Sequence, residues 1–182
     1  MKISLSVTRI LLSLWLVSTI TVVYGAGTGD SVVFNFSGRY LLATDPCQLD
    51  PETTDIRVDF TTVVKKELYL HSRTNAKPFT IRLTGCDTGL GSEVNMKFSG
   101  IESKLPGTLA VTGEATGIAI GMEKPDGTPL PFNKATPGYT LVSGTNNITL
   151  QAYVIGEPDA ITAQTITAGD FTATATFELA YP

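Results

Sequence analysis

Apolar residues recur at every second position along almost the whole chain, and this period constrains the fold more than any other feature. Phe79, Ile81 and Leu83 alternate with Thr80, Arg82 and Thr84; Ile56, Val58 and Phe60 alternate with Arg57, Asp59 and Thr61. Val94, Met96 and Phe98 interleave with Asn95, Lys97 and Ser99, and Ile148, Leu150, Ala152 and Val154 with Thr149, Gln151 and Tyr153. Ile118, Ile120 and Met122 alternate with Ala119 and Gly121, a strand with a thin outer face. Successive side chains of a strand point to opposite sides, so this pattern belongs to strands with one buried face. Asp45-Pro46, Asp50-Pro51, Thr84-Gly85, Pro125-Asp126-Gly127, Pro137-Gly138 and Asn146-Asn147 break the runs, as turn residues do. No long stretch carries a 3.6-residue period, although 62–69 has room for a short helical turn. Short strands separated by turns predict an all-β antiparallel sandwich of immunoglobulin-like type in one domain.

Composition narrows the function. The chain has 182 residues, of which only 16% are charged, with a formal net charge of −4. A nucleic-acid binder needs a basic stripe that displaces phosphate counterions, and none is present. The single histidine, His71, lies in a polar connection and reads as a surface residue; it leaves no material for a histidine-rich metal site or a His-dependent triad. Asp55 and Asp59 fall on the wet face of their strand, where carboxylates are solvated. The glycines at 85, 89 and 91 have no Lys-Ser/Thr after them, so they read as a loop and not as a phosphate cradle. The sequons at Asn35 and Asn147 matter only in a eukaryotic secretory pathway. No nucleophile–base pair can be named, so the chain does not read as an enzyme, and no cofactor is implied.

Residues 1–25 read as a secretory signal peptide. Lys2 and Arg9 supply the positive start, 10–23 form an apolar run, and Val23 and Gly25 suit cleavage before Ala26. The run is shorter than the roughly 20 residues that span a bilayer, which sets cleavage above a retained anchor. Removing residues 1–25 from 182 leaves 157, and takes away two basic charges. Export also bears on Cys47 and Cys86. In an oxidising compartment two cysteines of one small domain pair, and closing that loop contributes about 4 kcal/mol; the alternative is two free thiols for metal or redox chemistry.

The two ends are unusual. Phe171, Ala173, Ala175, Phe177, Leu179 and Tyr181 share one face of a strand that runs almost to the last residue, with Gly169 just before it. Near the other end Val32, Phe34 and Phe36 alternate with Val33, Asn35 and Ser37. Each apolar side chain of that arm is worth roughly 1.5–3 kcal/mol when fully buried, so the arm must be buried somewhere. Periodicity alone would place it in the chain's own sandwich.

The arm VVFNFSG at 32–38, the segment KPFTIRLTGC at Lys77–Cys86, and the ending AGDFTATATFELAYP at 168–182 occur in this order around the two cysteines. Together with the leader, they resemble the type 1 fimbrial subunits (pilins) assembled by the chaperone–usher pathway in Gram-negative bacteria. The resemblance implies a division into signal peptide (1–25), donor arm (26–37) and pilin domain (38–182). It implies an immunoglobulin-like domain lacking its last strand, with a groove bordered by residues 171–181. A periplasmic chaperone would fill the groove and hold the carboxylate of Pro182. At the outer-membrane usher the arm of a neighbouring subunit would replace the chaperone strand. Val32, Phe34 and Phe36 would then lie in a neighbour's groove, and the product would reach the cell surface as part of a fimbria. Val32 occupies an arm position where many main shaft subunits have glycine, which suits a minor or adaptor subunit. Two other readings remain: a carbohydrate-binding adhesin, for whose extra lectin domain the chain has no room, and a self-contained immunoglobulin-like module that folds alone.

Overall fold

The structure, a computed structural model, describes residues 45–182 together with the backbone strand Val33–Gly38. The elements run β1 (Val33–Gly38), β2 (Gln48–Leu49), β3 (Asp55–Arg57), α1 (Lys65–His71), β4 (Lys77–Cys86), β5 (Glu93–Ser99), β6 (Leu109–Ala110), β7 (Thr112–Gly113), β8 (Ile118–Glu123), β9 (Tyr139–Thr140), β10 (Gly144–Gly156), α2 (Pro158–Ala163) and β11 (Phe171–Ala180). One sheet has the order β3-β1-β11-β5-β9, with β7 also on β11; the other has the order β2-β4-β10-β8-β6. The chain crosses between them within a few residues, from β6 on β8 to β7 on β11.

The alternating patterns become the two inner faces. Ile81, Leu83, Leu150, Val154 and Ile120 of one sheet and Val94, Met96, Phe98, Ala175 and Phe177 of the other are buried in a common core. The sheets are held together mainly by apolar area removed from water, about 25 cal/mol per Å². Cys47 and Cys86 are joined in a disulfide, so the free-thiol alternative falls. His71 is exposed at the end of α1, and Asp55 and Asp59 are exposed as well.

The thin outer face of β8 has a specific cause. Gly121 pairs with Tyr153 of β10, and a Cβ at Gly121 would collide with the phenol ring, so the ring lies flat across the strand. The Arg73 guanidinium stacks on that ring at 3.6 Å and donates two hydrogen bonds of 2.7 Å to the Glu123 carboxylate. β8 is therefore buried on both sides. The bond to Glu123 raises the Arg73 pKa further, against the opposing effect of burial, so the guanidinium stays protonated.

The helical turn expected over 62–69 lies slightly later, at Lys65–His71. The second helix, Pro158–Ala163, was not anticipated; six residues opened by a proline are too few to display a helical period.

Candidate functional site: a slot along the last strand

β11 forms one wall of a candidate slot. Phe171, Ala173, Ala175 and Phe177 point into the core, with Thr172 and Thr174 on the exposed side. Leu179 and Tyr181 are half-buried and Pro182 is exposed. On one flank β11 pairs antiparallel with β5 over Thr176–Ala180 and with β7 at Phe171 and Thr172. The ring of Phe177 meets that of Phe98 on β5, with centroids 5.9 Å apart. The inward residues of β11 carry no titratable group, so whatever pairs on the other flank is held by main-chain hydrogen bonds and apolar contact.

Several bonds position the start of β11. The carbonyl of Asp170 accepts from the backbone N–H of Glu114 at 2.8 Å, and Thr116 and Thr167 exchange backbone bonds. Lys65 Nζ donates to the carbonyl of Ile166 at 3.0 Å, and the Ile166 N–H donates to the Tyr69 hydroxyl oxygen at 3.1 Å, which ties α1 to the segment entering the strand. Gly169 has φ +155°, and a Cβ there would press on Glu114. Glycine fits this close approach of two backbones, which accounts for its place at the head of the strand. Beside it Val63, Leu68, Ala115, Ile118, Ile166 and Phe171 line a small apolar cavity.

The opposite wall of the slot is β3. It makes no ladder with β11; both pair instead with β1. β1 runs parallel to β11, with Val33 opposite Thr172, Phe34 opposite Ala173, Phe36 opposite Ala175 and Gly38 opposite Phe177. It runs antiparallel to β3, with Phe36 opposite Ile56. In a single chain, then, the arm's backbone occupies the slot of its own domain. Sequence reading found the arm and the last strand but not the second wall: Ile56, Val58 and Phe60 carried the strand signal, and nothing in their period says which edge they face. Val32, with the rest of residues 1–32 and 39–44, lies outside the described residues, as do the side chains of Phe34 and Phe36.

Comparison with known proteins places this architecture. The family model described as "Fimbrial protein" matches residues 34–182. The chain is 32% identical over 161 residues to Protein PrsK of Escherichia coli, covering 84% of this chain and 90% of that protein. It is 32% identical over 162 residues to the fimbrial adapter PapK of Escherichia coli, with the same coverage. Among solved structures, the P pilus rod subunit PapA is similar with a TM-score of 0.67 and 25% identity, over 76% of this chain and 100% of that one. The sandwich with its slot is thus the immunoglobulin-like fold of fimbrial subunits, proteins carried to the cell surface as parts of a fimbria. The chain belongs to the fimbrial protein family.

Proposed function

We propose that this subunit polymerises by strand exchange: the arm 26–37 is donated to the slot of a neighbouring subunit, and the slot between β3 and β11 receives the arm of another. The observation that carries this reading is that β3 and β11 do not pair with each other; among the described residues the sheet becomes continuous only through β1, the strand of the arm. An unpaired edge beside an apolar face is an aggregation hazard until another strand covers it. Strand addition covers it with main-chain hydrogen bonds and sets register through side chains. A subunit with both an arm and a slot makes head-to-tail contacts that need not close, which yields a filament.

In this reading residues 1–25 direct export and are removed, a periplasmic chaperone holds β11 through 171–182, and the outer-membrane usher is where the exchange takes place. Val32 in the arm favours a minor or adaptor position over the shaft. The test is deletion of residues 32–36. The truncated subunit should still be recovered with a chaperone but should no longer join its normal preceding partner; fibres assembling at the wild-type level would refute the role of the arm. A glycan array with the intact subunit addresses the adhesin alternative.

A further inference from the structure

We infer that the lone subunit caps itself: its own arm sits in its own slot as a parallel strand, and this cis-capped form neither accepts a strand nor offers one until the arm leaves. The inference rests on the strand-exchange reading above and adds to it a resting state of the chaperone-free subunit, which strand capture must open.

Three observations support the cap. β1 pairs with both walls at once, over six residues of β11 and three of β3. It is the only strand on that flank of β11 among the described residues, so occupancy by the arm and by a visitor are mutually exclusive. The segment joining the arm to the disulfide-anchored Cys47 is short, and a short tether presents the arm to its own slot at an effective concentration on the order of millimolar. A free subunit at micromolar concentration cannot match that in the first encounter. The cap is nevertheless replaceable. Its ladder with β11 is parallel, the slightly weaker pairing per residue. Its departure also strips β3 of its only ladder partner among the described residues, so opening frees both walls together. Growth of a fibre from free subunits would then be limited by cap opening and not by collision.

The experiment follows capture of a fluorescent peptide of sequence SVVFNFSG, copied from residues 31–38, by the exported chain at low concentration. The expected rate rises with peptide and then levels off at the rate of arm release. The Phe34→Ser variant, whose cap is weakened outside the folded domain, should raise that plateau at least tenfold. A capture rate that stays proportional to peptide throughout, and is unchanged by F34S, would overturn the cap while leaving strand exchange intact. No capture by either chain, even at equilibrium, would overturn strand exchange itself and the cap with it.

Discussion

Phe98 and Phe177 stand directly opposite each other on β5 and β11, both 1% exposed, with their rings tilted by 35° at 5.9 Å. A cross-strand aromatic pair of this kind couples the two strands beyond the area it buries. It also anchors the half of the slot that belongs permanently to the domain.

Truncating Phe177 to alanine should therefore cost about 3–5 kcal/mol, the range for emptying an aromatic site in a packed core. Thr174→Ala, three residues away on the exposed face of the same strand, should stay within about 0.5 kcal/mol. Urea unfolding of the two variants checks the contrast, and equal losses would mean that β11 is not held through its inner face.

Reducing the Cys47–Cys86 bond opens a loop of 39 positions, which predicts a loss of about 4 kcal/mol from chain entropy. The midpoint of urea unfolding with and without reductant measures it. An unchanged midpoint would mean that the bond constrains nothing the core does not already hold.

The Arg73–Glu123 pair predicts an asymmetry. The Glu123 side chain is 7% exposed and that of Arg73 36%. Removing the cation by Arg73→Ala strands a buried carboxylate, and should cost about 2–4 kcal/mol, below the fully buried range because water reaches the arginine. Glu123→Gln leaves a neutral group beside a cation that water can solvate, so its loss should be the smaller. Reversal of that order in thermal unfolding would show that the pair is not the reason Glu123 tolerates burial.

Gly121→Ala should dislodge the Tyr153 ring and with it the stacked Arg73, at a cost of about 1–3 kcal/mol for overpacking. In the Tyr153→Ala background the same substitution should cost much less, because the colliding ring is gone. A double-mutant cycle measures this coupling; additive losses would place the strain elsewhere.

Two tyrosines set a limit at high pH. Burial holds the Tyr139 phenol above its ordinary value of 10, helped by Asp126; burial also raises that of Tyr153, with Arg73 opposing and Glu123 adding to the effect. The unfolded chain loses these protons near pH 10 while the native protein keeps them, so the stability they contribute is complete below pH 10 and is lost as pH rises beyond it. Urea midpoints from pH 8 to 11 should be level and then fall, and Tyr139→Phe should soften the fall.

Period-two alternation was enough to assign the inner faces of β4, β5, β8, β10 and β11 residue by residue, because burial of one face is a local demand that each strand meets on its own. The two strand-like ends that carry the family resemblance were legible in the same way, whereas the pairing of Cys47 with Cys86, expected of an exported chain, was decided against free thiols only by the structure. Alternation carries no information about partners, and so it did not reveal that β3 and β11 are separated by one strand's width, or that β1 runs parallel to one and antiparallel to the other. Nor did it bring Arg73, Glu123, Tyr153 and Gly121 together, since they come from a loop and two strands far apart in the chain. Which edge meets which is decided by the competition of all strands for backbone partners within a shared core, and that competition exists only in three dimensions.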